Sequence, residues 1–274
     1  MRSIVFVGGG NMASAIISGL LKQGQPVHTL RVVEPGAAQR DKLRADFGVT
    51  SQPHADASLA SAELVVWAVK PQSFAAAAAP CAVHLRGALQ LSVMAGIRSG
   101  ALAQAIGTRR VVRAMPNTPA LIGRGIAGLY AAAEVNTAER AWVEQVLAAT
   151  GVTLWVDRER DLDAVTALSG SGPAYVFYFI EAMMQAAQDM GLSTEQGRLL
   201  ALSTFAGATA LAQASAEPPS TLRERVTSKG GTTHAALLSL EASGVKSAFV
   251  AALKAAQQRA RELGDEFGKP VPLV

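Results

Sequence analysis

Gly8-Gly9-Gly10-Asn11-Met12-Ala13 spells G-x-G-x-x-A between an apolar run, Ser3–Val7, and the start of a helical pattern. In that setting Gly8 permits a tight turn, Gly10 lets a pyrophosphate approach the backbone, and Ala13 is small enough for helix to pack on strand. The helix start adds free N–H groups and partial positive charge for the phosphates. Dinucleotide binding is the chemistry this spacing suits, and a glycine turn with no ligand is the plain alternative. Glu34 closes the next apolar run, Thr29–Val33. An acidic residue there accepts from a ribose 2′-hydroxyl. It repels a 2′-phosphate unless the turn swings it away and Arg31 or Arg40 takes over; a solvated strand-end charge fits the position equally well.

Three further segments follow apolar runs and fall where ligands lie in an open α/β sheet, beyond the carboxyl ends of the strands. They are Ala68-Val69-Lys70-Pro71-Gln72, Ser92-Val93-Met94-Ala95-Gly96 and Met115-Pro116-Asn117-Thr118-Pro119. Lys70 could act as an acid, although positioning a dinucleotide or bonding nearby carbonyls is the more ordinary role. The second half of the chain holds two glycine-rich segments. Ser169-Gly170-Ser171-Gly172-Pro173-Ala174-Tyr175 should break a helix by composition, and its small residues allow close backbone approach. Thr227-Ser228-Lys229-Gly230-Gly231-Thr232-Thr233 precedes a helical stretch, so its N–H groups and hydroxyls are suited to a carboxylate. An ordinary helix start would look the same. His28, His54, His84 and His234 lack metal-ligand spacing, so no metal is expected. Cys81 reads as a buried, inert thiol.

The elements that must position these residues follow two textures. Up to Val156, short β-branched runs alternate with amphipathic stretches, the pattern of βαβ units and a parallel sheet. Strands are expected at Ser3–Val7, Thr29–Val33, Leu64–Val69, Ala88–Val93, Arg110–Ala114, Gly125–Ala131 and Thr153–Val156. Helices are expected near Met12–Lys22, Gln39–Phe47 and Thr137–Ala149. After the charged stretch Asp157–Asp163 come Ala/Leu-rich helical patterns: Ala174–Met190, Thr194–Gln213, Thr232–Ser243 and Lys246–Leu263. The expected fold class is α/β: a doubly wound, Rossmann-type sheet in residues 1–157, then an all-α dimerisation and substrate-binding domain in residues 158–274. The uncharged segment Leu199–Ala216 needs more cover than a small bundle supplies, which points to burial between subunits.

Composition narrows the class further. Half of the 274 residues are hydrophobic and 17% are charged, which excludes a disordered chain. A single cysteine excludes a disulfide-stapled scaffold. The net charge of +4 is spread without a long basic run, so a small anionic ligand is expected and nucleic acid is not. Three glycines interrupt the apolar start after a few residues, shorter than an export signal. Neither a membrane partner nor export is therefore expected, and the expected location is the cytoplasm.

Taken in order, these motifs resemble the pyrroline-5-carboxylate reductase family over essentially the whole chain. They are GGGNMASA (Gly8–Ala15), AVKPQ (Ala68–Gln72), SVMAGI (Ser92–Ile97), RAMPNTP (Arg113–Pro119), LSGSGPAY (Leu168–Tyr175) and VTSKGGTTHAAL (Val226–Leu237). The first is shared by many dehydrogenases, and the last two in combination are specific. The resemblance implies reduction of Δ1-pyrroline-5-carboxylate to L-proline, the last step of proline biosynthesis, with NADP(H) and often also NAD(H). It implies a homodimer whose subunits can both contribute to one active site, assembled in some members into a ring of dimers. By the same resemblance Gly8, Gly10, Asn11, Met12, Glu34, Ala68, Val69, Lys70 and Pro71 face the dinucleotide. Ala95 and Asn117 lie near the nicotinamide. Ser228, Gly230, Gly231, Thr232 and Thr233 hold the substrate.

Hydride transfer to a cyclic imine needs proximity and a proton supply, not a nucleophile or a metal. Thr233 is therefore the catalytic candidate, bonding the ring nitrogen while Gly230-Gly231 grips the carboxylate. The chain departs from the family pattern at Lys229, where proline is common, at Arg225, where an asparagine occurs, and at Ala55-Asp56, where an asparagine often meets the cofactor. Rival readings are a reductase of another cyclic imine, a β-hydroxyacid dehydrogenase and a dinucleotide sensor without turnover. The second would need a lysine within Ala164–Gln185, which has none, and the third a degraded 230–233 loop, which is complete.

Overall fold

The computed structural model describes residues 2–268. By its internal contacts the chain divides into two compact units, Met1–Ser171 with Ala256–Val274, and Gly172–Ala255.

The first unit is built on an eight-stranded sheet. Along the chain come β1 (Ile4–Val7), α1 (Asn11–Lys22), β2 (Leu30–Val33), α2 (Ala37–Phe47), β3 (Thr50–Gln52), β4 (Leu64–Trp67), α3 (Phe74–Leu85), β5 (Leu89–Ser92), α4 (Ser99–Ile106), β6 (Val111–Met115), β7 (Gly125–Ala131), α5 (Thr137–Leu147), β8 (Gly151–Trp155) and α6 (Asp161–Val165). The strand order is β3-β2-β1-β4-β5-β6-β7-β8. Every pairing is parallel except β6 with β7. Only nine residues join those two strands, too few for a crossover, so the chain turns back on itself there. β1 and β4 are buried along their whole length, as continuous apolar runs in a parallel sheet must be. One face of the sheet packs Phe6, Val32 and Val66 against Ile16, Leu43 and Val143 of α1, α2 and α5. The other packs Val5, Val65 and Trp67 against Phe74, Cys81 and Leu102 of α3 and α4.

A polar knot sits inside the second of these layers. The Trp67 indole donates to Gln90 Oε1 at 2.8 Å, while Gln90 Nε2 donates to the carbonyls of Leu85 and Ala88 at 2.9 Å each. Trp67 and Gln90 are both fully buried, so water cannot replace a lost partner. Gln90→Leu is expected to cost about 2–4 kcal/mol, because it orphans the indole N–H and leaves two carbonyls without their donor. In thermal melts that should lower Tm by roughly 2–4 °C per kcal/mol. Combining it with Trp67→Phe should cost less than the sum of the single changes; strict additivity would show that the pair is not coupled.

α6 leads into a single π turn, Thr166–Gly170, closed by the Ser171 N–H on the Thr166 carbonyl at 2.8 Å. The small residues therefore widen the helix by one residue where composition suggested a break.

The second unit is helical. It holds α7 (Gly172–Asp189), α8 (Thr194–Ala214), α9 (Pro219–Arg225), α10 (Thr232–Ala242) and the first part of α11 (Val245–Phe267). Ser193 starts α8 with a reciprocal cap, accepting from the Gln196 N–H while the Gln196 side chain accepts from its own N–H. Tyr175 and Phe249, and Phe179 and Phe249, meet edge to face. Phe177, Tyr178, Leu199, Leu200 and Leu211 stay exposed on α7 and α8. Among the described residues no single helix is long and apolar enough to cross a membrane. Two pairs reach that composition only when joined across bends of 120° and 54°.

Candidate active site

The strand order reverses between β1 and β4, and the loops that leave their carboxyl ends flank that crevice. The Gly8 N–H donates to the Val33 carbonyl at 2.8 Å. Its φ of +95° is one that side chains resist, and a Cβ there would stand 2.7 Å from the Ala68 carbonyl oxygen. Glycine is therefore required twice over at this position, by conformation and by the approach of the β4 loop. Gly10 differs. Among the described residues, a Cβ at Gly10 would meet no heavy atom within 4 Å, and no side chain caps the first turn of α1. Open space faces a helix start whose N–H groups lack partners, and a pyrophosphate fits that arrangement. Asn11 is exposed at the first position of α1, and Met12 leans on the core.

Glu34 reaches back over this turn. Its carboxylate accepts from the Gly9 N–H at 2.9 Å and from the Gly36 N–H at 2.8 Å. Gln39 donates to the Gly9 carbonyl at 2.6 Å, closing the turn from α2. Arg31 donates to the Ser58 carbonyl, whereas Arg40 lies over the end of β2 on the carbonyls of Glu34 and Pro35. Of the two arginines only Arg40 stands at the tip of β2.

Ala68 and Val69 are half-buried beside Gly8, Lys70 is exposed, and Pro71 opens a short helical turn. Ala95 is exposed in the loop after β5, which Gly96 turns at φ +76° against the Leu263 carbonyl of α11. Asn117 follows β6. Its Oδ1 accepts from the Ile126 N–H at 3.0 Å and its Nδ2 donates to the Ser169 carbonyl at 3.1 Å, so the amide ties the π turn to β7. The fold thus brings Gly8–Met12, Glu34, Ala68–Pro71, Ala95 and Asn117 to one edge of the sheet, at the carboxyl ends of β1, β2, β4, β5 and β6.

The residues 228–233 belong to the second unit. The Gly231 N–H donates to the Ser228 carbonyl at 3.0 Å, and a Cβ at Gly231 would stand 2.6 Å from Ser228 Oγ. Gly230 takes φ +76° with open space around it. Among the described residues no side chain caps α10. Among the described residues the hydroxyls of Ser228, Thr232 and Thr233 have no hydrogen-bond partner. Three hydroxyls and a free helix start therefore converge on one short loop, a set of donors suited to a carboxylate. Arg225 is held by Glu217 at 2.6 Å, and Lys229 is exposed.

Behind the β5 and β6 ends lies a charged cluster that motif reading missed. Arg113 is 6% exposed and donates to Glu159 at 2.8 Å. Glu159 also accepts from the Ser99 N–H and hydroxyl at 2.6 and 2.7 Å. Burial raises the Glu159 carboxyl, but the Arg113 guanidinium and the Ser99 donors outweigh it and hold the group below the usual carboxylate range. Asp163 goes the other way, pushed up by burial, with Arg98 3.7 Å away and, among the described residues, no hydrogen bond to its Oδ2. The signal was an arginine inside the apolar run Val111–Met115. Cys81 is buried, and burial pushes its thiol up to about 11.

Two family models match the chain: Pyrroline-5-carboxylate reductase dimerisation over residues 159–263, and NADP oxidoreductase coenzyme F420-dependent over residues 3–96. The pyrroline-5-carboxylate reductase of Pseudomonas aeruginosa is 44% identical over 268 residues, which cover 97% of this chain and 98% of the relative. The solved pyrroline-5-carboxylate reductase of Coxiella burnetii superposes with a TM-score of 0.88 at 34% identity, over 96% of this chain and 98% of that one. The pyrroline carboxylate reductase of Plasmodium falciparum, solved with NADP bound, gives 0.85 at 28% identity with the same coverage. With the glycine turn, the strand-end loops and the 228–233 loop all falling within these matches, the chain belongs to the pyrroline-5-carboxylate reductase family.

Proposed function

We propose that this chain reduces Δ1-pyrroline-5-carboxylate to L-proline, the last step of proline biosynthesis, using NADP(H) and also NAD(H). The observation that carries the reading is the 44% identity to a named reductase over 97% of the chain. When bound, the reduced nicotinamide supplies a hydride to the C=N carbon, and the ring nitrogen gains a proton. The uncapped start of α1, with Gly8, Gly10, Asn11 and Met12, holds the pyrophosphate. Glu34 and Ala68 to Pro71 line the dinucleotide, and Ala95 and Asn117 flank its nicotinamide. Ser228, Gly230, Gly231 and Thr232 hold the substrate carboxylate at the start of α10. The Thr233 hydroxyl bonds the ring nitrogen and relays to it a proton drawn from solvent water, so that the hydroxyl is restored. Residues 1–157 form the dinucleotide-binding domain and residues 158–274 the helical dimerisation and substrate-binding domain. The dimerisation match over residues 159–263 supports the second part of that division. The protein works as a cytoplasmic homodimer, with a ring of dimers as its larger form, and engages neither membrane nor nucleic acid.

The test is oxidation of NADPH and of NADH, followed by absorbance with and without pyrroline-5-carboxylate. Substrate-dependent oxidation is expected. None, from folded protein that binds the dinucleotide, would move the assignment to another cyclic imine. Cofactor choice gives a sharper check. The Glu34 carboxylate is turned onto the Gly9 and Gly36 N–H groups, and Arg40 is the cation at the tip of β2. Arg40→Ala should lower kcat/KM for NADPH by about tenfold, the worth of one charge-assisted hydrogen bond, and barely change it for NADH. Equal losses with both cofactors would show that Arg40 only supports the loop.

A further inference from the structure

The two edges of the sheet are built differently. At one end β3 is three polar residues, Thr50–Gln52, a short strand of the kind that protects an edge. At the other, β8 runs Gly-Val-Thr-Leu-Trp with no charge, no proline and no bulge to blunt it. Its inner face is closed, because Trp155 packs on the core and donates to Glu144 of α5. Its outer face is open, with Val152 67% and Leu154 55% exposed.

That face is continuous with covered sheet. Val152 stands in register with Ile126, and Leu154 with Gly128. A Cβ at Gly128 would stand 2.6 Å from Val165 of α6, so α6 lies directly on β7 and stops short of β8. Parallel pairs such as β7–β8 are normally covered on both faces. The covering helix α6 lies within the stretch matched as the family's dimerisation segment, which begins at residue 159. The same segment carries, on α7 and α8, the exposed Phe177, Tyr178, Leu199 and Leu200. Among the described residues, an apolar strip without cover and an apolar helical surface without cover are thus present on each copy.

We infer that the outer face of β8, at Val152 and Leu154, is part of the subunit interface and is covered by the apolar helical surface of a second copy of this chain. The inference rests on the dimer proposed above and extends its interface onto the sheet, outside the matched segment. Two-fold symmetry then buries the strip twice, once for each subunit.

The experiment is sedimentation over a range of concentrations for the parent, for Val152→Lys with Leu154→Lys, and for Val83→Lys. Val83 is an equally exposed valine on α3 and serves as the control. Circular dichroism checks the fold, and Val152→Ser, which adds no charge, replaces the double variant if that one fails to fold. The β8 variant should raise the dimer dissociation constant by about tenfold or more, as truncation or charge at an interface core does, and Val83→Lys should leave it unchanged. A dimeric parent with an unaltered dissociation constant in the β8 variant overturns this inference and leaves the dimer standing. A monomeric parent overturns the dimer itself.

Discussion

Thr233→Val is expected to lower kcat about a hundredfold or more while dinucleotide affinity stays within about twofold of the parent, the loss typical of a removed proton donor. The substitution keeps the shape of the side chain and removes only the hydroxyl. Thr233 sits in the first turn of α10, half-buried, with no partner among the described residues. Its hydroxyl is therefore free to bond a ring nitrogen, and its loss leaves helix packing intact. Thr233→Ser, which restores the hydroxyl, should recover most of the rate. Steady-state kinetics together with a fluorescence titration of the dinucleotide separate the two effects. Unchanged kcat in the valine variant would remove Thr233 from the reaction. A loss of dinucleotide binding would place its role in the fold instead.

Arg113→Met is expected to destabilise the first unit by about 2–4 kcal/mol, because it leaves the half-buried Glu159 carboxylate without its cation. Glu159 would keep the Ser99 donors and lose the guanidinium that offsets its burial. In the parent, the depressed Glu159 carboxyl contributes stability that is fully present above its ordinary unfolded value and is lost as pH falls through the lower folded value. In the variant the sign reverses. Burial without Arg113 favours the protonated acid, so stability should rise as pH falls from 7 to about 5. Asp163 adds to that trend. Its carboxyl is pushed up by burial despite Arg98 and Arg113, so it opposes folding at neutral pH and ceases to do so once protonated. Denaturant melts of parent and variant across that range test the reversal. Arg113→Met with Glu159→Gln should regain part of the loss and flatten the pH dependence. Parallel curves for parent and single variant would show that the pair carries no coupling.

What the residues declare by themselves is local. The strand, glycine turn and helix from Ile4 to Lys22 are legible because three constraints coincide there: a β-branched run, a turn needing positive φ, and a helical stripe. Observed and expected bounds differ by one residue at each start. The long helices of the second half are legible for the same reason, their apolar periodicity being uninterrupted. β3 is not legible. Thr50–Gln52 has no strand pattern of its own and is extended because β2 offers it a ladder. α4 and α9, of eight and seven residues, are too short for periodicity to register.

The same division holds at the site. The G-x-G-x-x-A turn and the 228–233 loop announce themselves, since backbone N–H groups can serve a ligand only where side chains are small. The Arg113–Glu159–Ser99 cluster does not, because its members lie 14 to 60 positions apart and only the sheet brings them together. Glu34 is the intermediate case. Its place at the end of a strand is written in the sequence, while the direction of its carboxylate is not. The turns after β1 and β2 decide that together, by presenting the Gly9 and Gly36 N–H groups at a distance the side chain can span. Local sequence thus determines which backbone conformations are cheap. Tertiary structure determines which charges and faces meet, because burial energy depends on neighbours that no local pattern names.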